Sequence, residues 1–201
     1  MTARVFQSVA LALGLALVVA ACSQPPLPED NYYRLVVTPP QGGATAPKLA
    51  GTLEVQRFIA DGITAGRSVV YSAAARPEEL REYHYHFWVE PPPVMLRDQF
   101  VAYLRGAGVA SAVVTPEVRV EPDFVLTAKL KRLEQVVGTP SRAAVEIDVA
   151  VRRTTDDRLL FQGSYGVQVD AKSNAVGDAV AAFTTALSQI YAKIIGDMSR
   201  L

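Results

Sequence analysis

The chain has 201 residues, with 20 basic and 20 acidic side chains, so its net charge is zero at neutral pH. That balance gives no electrostatic reason to expect nucleic acid or an anionic lipid surface as the main partner. One cysteine excludes an internal disulfide, so the core must hold the fold unaided.

The first residues decide the compartment. Arg4 and the amino terminus form a positive start, and Val5 to Ala21 run almost without polar interruption. This pattern reads as a signal peptide over residues 1–21. It ends in Val19-Ala20-Ala21-Cys22, which resembles the lipobox of bacterial lipoproteins. The resemblance implies a diacylglycerol thioether on Cys22 and cleavage before it, and several acyl chains hold a protein firmly to a bilayer. Ser23 stands where enteric lipoproteins kept in the inner membrane carry Asp. By that sorting rule the expected destination is the outer membrane, on its periplasmic face.

Residues 22–30 then form a tether. Three prolines in Ser23 to Asp30 favour an extended path of about 3.1 Å per residue, roughly 25 Å in all. Past Cys22 no continuous apolar run reaches 18 residues, so no second membrane segment is expected. One domain is expected over residues 31–201.

Its elements follow in order. Tyr32 to Val37 predicts a strand, and Thr38 to Lys48 a Pro- and Gly-containing loop. That loop lacks the Gly-Lys-Ser/Thr ending of a phosphate-binding loop. Strands are expected at Leu53–Phe58, Ser68–Tyr71 and Glu82–Val89, with Arg76–Leu80 as a polar connection. Pro91-Pro92-Pro93 starts a helix whose apolar face is Leu96, Phe100, Tyr103 and Leu104, and Gly106 and Gly108 stop it. Ala110–Thr115 returns as a strand.

Phe124, Leu126, Ala128 and Leu130 alternate with polar or small neighbours. So do Val145, Ile147, Val149 and Val151. Leu159, Phe161, Tyr165, Val167 and Val169 then lie on one parity, with Gly163 among them. Turns at Gly138-Thr139-Pro140 and Thr155-Asp156-Asp157 join these runs into an antiparallel meander with one apolar face. The last helix covers that face with a stripe from Val176 through Phe183, Leu187, Ile190 and Ile194 to Met198, and Ser173 or Asn174 is its expected N-cap. The fold class is α+β: a mixed, largely antiparallel sheet with two helices packed on it in a single domain.

Chemistry-bearing residues are few. Both histidines lie in Glu82-Tyr83-His84-Tyr85-His86-Phe87-Trp88-Val89-Glu90. On a regular strand His84, His86 and Trp88 share one face, and Tyr83, Tyr85 and Phe87 the other, which reads as core. Zinc sites draw ligands from several segments, so no metal site is expected from two histidines on one strand. Ser164 stands in Gln-Gly-Ser-Tyr-Gly, which is not a nucleophile elbow. No catalytic residue, cofactor or enzymatic activity is expected.

The lipobox is followed by Tyr32-Tyr33-Arg34-Leu35 and Gly66-Arg67-Ser68-Val69-Val70-Tyr71. After these come Tyr83-x-x-x-x-Trp88-Val89-Glu90-Pro91-Pro92 and a helix with Ala181-Ala182-Phe183. In this order they resemble the auxiliary lipoprotein component of ABC-type transport systems, the group containing the paraquat-inducible intermembrane transport lipoprotein. The resemblance implies a non-enzymatic subunit that docks a periplasm-spanning MCE-domain protein to the outer membrane. An ABC permease and ATPase are then indirect partners, and self-association into rings belongs to the same expectation. It also marks the stretch from Tyr83 through Trp88 to Pro91 and Pro92 as a surface that either packs or binds a partner. His84 and His86 lie in this stretch and are candidate contacts with it, but they are not part of the pattern that resembles the family. Two other readings stand beside it. One is an envelope assembly or regulatory lipoprotein that binds an outer-membrane protein or a cell-wall synthase. The other is a lipid carrier with a cavity lined by Phe161, Tyr165, Phe183 and Leu187.

Overall fold

The fold is organised by one long strand. In the computed structural model, which describes residues 28–42 and 46–200, residues Phe124–Val137 run as the central strand of a nine-stranded sheet. Cys22, the signal peptide and most of the tether lie outside the described residues. In chain order the strands are β1 (Asn31–Tyr33), β2 (Leu49–Val55), β3 (Ile59–Ala60), β4 (Ser68–Ala73) and β5 (Arg76–Trp88). After helix α1 (Pro92–Ala107) come β6 (Ala110–Val114), β7 (Phe124–Val137), β8 (Arg142–Arg153), β9 (Leu159–Asp170) and helix α2 (Val176–Met198).

One edge of β7 carries the meander. β8 and β9 follow antiparallel, with Leu126 opposite Val151 and Ile147 opposite Tyr165. Along the other edge β2, β3 and β4 queue in chain order, all parallel to β7, with Leu53 opposite Phe124, Ile59 opposite Lys129 and Val70 opposite Glu134. The sheet therefore forks. β6 extends β2, while β5 and then β1 extend β4.

Both helices lie on one face of this sheet. The α2 stripe of Val176, Phe183, Leu187, Ile190, Ile194 and Met198 is buried, together with Leu126, Leu130, Val145 and Ile147 of the meander. Tyr191 is fully buried where the helices meet: its hydroxyl donates to the Leu96 carbonyl at 3.0 Å and its ring lies 4.6 Å from Phe100. By length and composition α2 could span a bilayer, with a mean hydropathy of 1.2 over its most apolar window. Its apolar side, however, is the cover of the sheet.

Local chemistry explains where the helices begin and end. Pro91 is the N-cap of α1, and Pro92 and Pro93 fill its first turn, where no backbone donor is needed. Gly108 caps its C-terminus in the left-handed region (φ 64°). Gly106 serves a different purpose, because a Cβ there would stand 2.8 Å from the Pro40 carbonyl oxygen.

The N-cap of α2 is Ala175, one residue beyond the expected pair. Ser173 still acts at this end: its Oγ accepts the Ala175 N–H at 3.0 Å and donates to Asp178. Three other expectations are corrected. The first strand is only Asn31–Tyr33, and Leu35 and Val37 are buried beyond it without a strand partner. β3 carries no sequence signal of its own. Arg76–Leu80 is not a connection but the first part of β5, paired to β4 with Ala73 opposite Arg76.

Candidate interaction surface

The segment marked by the sequence lies in β5, and its geometry is set by a break in register. Ser68 of β4 stands opposite Phe87, but Val70, two residues on, stands opposite Glu82, five residues back. Three extra residues therefore bulge from β5 between these pairs. A bulge re-aims side chains, and here it takes Tyr83 out of the expected alternation with His86.

On the C-terminal side of the bulge, Trp88 turns into the core. It is 1% exposed and meets Phe183 edge-on at 5.7 Å. Tyr33 of β1 is its cross-strand neighbour, and the Tyr33 hydroxyl lies 2.8 Å from His86 Nδ1, within hydrogen-bond reach. Within the bulged stretch, Tyr83 comes to the same side as His86, with ring centroids 5.4 Å apart. It packs on Tyr71 at 4.3 Å and donates to the buried Gln135 Oε1 at 3.0 Å. Burial pushes the phenols of Tyr33 and Tyr83 above their ordinary range.

The opposite side of the β1–β5 edge is wet and aromatic. Tyr32 is 57% exposed and Tyr85 39%. Phe87 lies 5.7 Å from Tyr32, and the Arg67 guanidinium sits over the Tyr32 ring at 5.6 Å while its Nε donates to the Trp88 carbonyl. Asp30, Tyr32, Arg67, Ser68 and Phe87 enclose a shallow groove of about 290 Å³. Aromatic side chains beside an arginine are the types enriched at protein interfaces.

From Arg76 to Glu82, β5 has β4 on one side and no strand on the other among the described residues. An open edge is a template for strand addition. Arg76, Pro77, Glu78, Glu79, Arg81 and Glu82 are the residue types that discourage indiscriminate pairing. Glu79 bridges Arg76 at 3.0 Å and also pairs with Arg81, which together with Arg76 holds its carboxyl below the usual range.

The six residues marked by the sequence thus separate. Trp88 and Pro92 are interior; Tyr83, His86 and Pro91 are half-buried; His84 is exposed. The alternation of Tyr85 and Phe87 against His86 and Trp88 holds, but core and solvent faces are the reverse of those expected, because the Trp88 face is the one that Phe183 of α2 covers. Tyr32 and Arg67, which the sequence marked only as parts of longer motifs, form the exposed corner instead. The side chains proposed as a lipid-cavity lining are packed: Phe183 and Leu187 are fully buried, and Phe161 and Tyr165 lie against the core. Tyr165 also donates to Asp197 Oδ2 at 2.8 Å, and burial together with that carboxylate pushes its phenol strongly up.

The family model of the ABC-type transport auxiliary lipoprotein component matches residues 33–195. The chain belongs to this family. The match covers every element from the last residue of β1 almost to the end of α2, including both sides of the β5 bulge. Among solved structures, a Xanthomonas campestris protein assigned to the DUF330 family is 23% identical with a TM-score of 0.73, over 83% of this chain and 93% of that one. A second, described as an uncharacterized protein, is 14% identical with a TM-score of 0.67, over 85% of this chain and 99% of that one. At these identities the likeness establishes the shared fold. No curated protein matches the chain.

Proposed function

We propose that this auxiliary lipoprotein is a non-enzymatic docking subunit, held to the outer membrane by lipid on Cys22, that receives the periplasm-spanning MCE-domain protein of its transporter. The observation that carries the reading is the family match over residues 33–195. The position of the exposed aromatic corner supports it. Tyr32 lies in the first strand after the tether, so a partner bound there sits within roughly 25–30 Å of the lipid anchor, at about 3.1 Å per tether residue. That height suits a component that must meet a membrane. Tyr32, Arg67, Tyr85 and Phe87, with His84 at the rim, are the contact residues in this reading.

The test is affinity purification of the tagged, full-length lipoprotein from its own membranes in mild detergent, with mass spectrometry of the recovered proteins. An MCE-domain protein with its permease and ATPase should be recovered, and Cys22→Ala or Tyr32→Ala should reduce that recovery. Recovery of only an outer-membrane barrel or a cell-wall synthase would reject the transporter reading in favour of an assembly or regulatory lipoprotein.

A further inference from the structure

A second feature lies at the sheet end where β2, β7 and β9 begin and β8 finishes. An open cavity of about 420 Å³ is lined there by Lys48, Arg153 and Arg158 together with Phe124, Leu159 and Leu160. These residues are far apart in sequence and meet through register. Arg153 is the cross-strand neighbour of Phe124, and its N–H donates to the Arg158 carbonyl at 2.9 Å.

The cations are poorly neutralised. Among the described residues Lys48 and Arg158 make no ion pair, and the buried Nε of Arg153 has no hydrogen-bond acceptor. The carboxylate nearest to that Nε, on Asp156, is 3.7 Å away, and it already accepts the Arg158 N–H at 3.3 Å. Asp157 is taken by Arg152. Beyond the loose Arg153–Asp156 ion pair, Lys48 and Arg158 leave the lining with an excess of positive charge that an anion would offset, and a guanidinium offers several donors in one plane to a phosphate.

An inorganic anion would leave half of the lining unused. Leu159 is 54% exposed, and Phe124 and Leu160 are only partly covered. The volume falls in the range of about 300–1,000 Å³ typical of small-molecule sites. That is room for a headgroup and the first part of a chain.

We propose that this cavity binds the phosphate headgroup of an anionic lipid. The phosphate contacts Lys48, Arg153 and Arg158, and the proximal hydrocarbon lies over Phe124, Leu159 and Leu160. This goes beyond the docking role and stands on the cavity alone, so loss of the MCE partner in a pull-down leaves it untouched.

The experiment is calorimetric titration of the full-length lipoprotein, held in phosphatidylcholine nanodiscs, with water-soluble dihexanoyl phosphatidylglycerol. Dihexanoyl phosphatidylcholine and inorganic phosphate serve as the other two probes. The expected result is saturable binding of the phosphatidylglycerol alone. Affinity should fall about tenfold in Arg153→Gln and in Arg158→Gln, since one charge-assisted contact is worth about a factor of ten. Lys48→Gln provides a third variant, at an exposed position outside any helix or strand, and thermal melts establish that each variant folds. Equal binding of inorganic phosphate would overturn the lipid assignment, and equal binding of phosphatidylcholine the anionic one. Absence of saturable phosphatidylglycerol binding, or affinity unchanged in all three folded variants, would overturn the site.

Discussion

Replacing Trp88 by Ala separates packing from binding in the segment that the sequence left open. The indole is 1% exposed and is held edge-on by Phe183 beneath α2. Truncating a buried aromatic costs about 3–5 kcal/mol, because the transfer energy is lost and a cavity remains. That is a large part of the roughly 5–15 kcal/mol available to a domain. At about 2–4 °C per kcal/mol for a chain of this size, the melting temperature should fall by roughly 6–20 °C. His84 is exposed two turns of the pleat away, so His84→Ala should stay within about 0.5 kcal/mol of the parent. Far-UV circular dichroism melts of the detergent-solubilised lipoprotein measure both. If Trp88→Ala melted within about 2 °C of the parent while losing the partner, Trp88 would be a contact residue and its place in the core would be wrong.

Three further outcomes follow from the geometry. Tyr191→Phe removes a second hydrogen bond to the Leu96 carbonyl, which stays within the helical ladder of α1, and should cost about 0.5–1.5 kcal/mol, read from the urea midpoint; an unchanged midpoint would mean that the helix contact is not held this way. Gly106→Ala raises helix propensity by about 1 kcal/mol, yet its Cβ would press on the Pro40 carbonyl, so denaturant unfolding should show a net loss and not a gain. The Thr115 hydroxyl, and then Arg97, hold the Glu117 carboxyl down to about 2 from an ordinary 4.5. A lowered folded-state value gives stability that is complete above pH 4.5 and is lost as pH falls towards 2. Glu117→Gln should flatten that acid limb, and parallel melting curves of the two proteins across this window would count against the assignment.

What the sequence could disclose was whatever a local period records. β7, β8 and β9 were legible because one face is covered by α2 and the other is wet, which writes alternation into Phe124–Leu130 and Val145–Val151. The stripe of α2 was legible for the same reason at the helical period. Arg76–Leu80 was not. It is a strand because β4 pairs with it, but both its faces meet solvent, so nothing imposes alternation and its residues read as a connection. The bulge in β5 was hidden because a three-residue slip is a property of two strands together. The assignment of Trp88 and Tyr85 was reversed because which face of a strand a distant helix covers is not written in its alternation.

The same limit applies to function. The aromatic corner draws Tyr32 from β1, Arg67 from just before β4, and Tyr85 and Phe87 from β5, which become neighbours only because β1 pairs with the end of β5. The cationic cavity is more remote still, since Lys48 is joined to Arg153 and Arg158 only by the pairing of β2 and β8 to the same end of β7. A net charge of zero is an average over the whole chain. Local charge is a matter of topology: the register that sets Arg153 beside Phe124 also gathers three cations over an apolar floor, in a chain whose overall charges cancel.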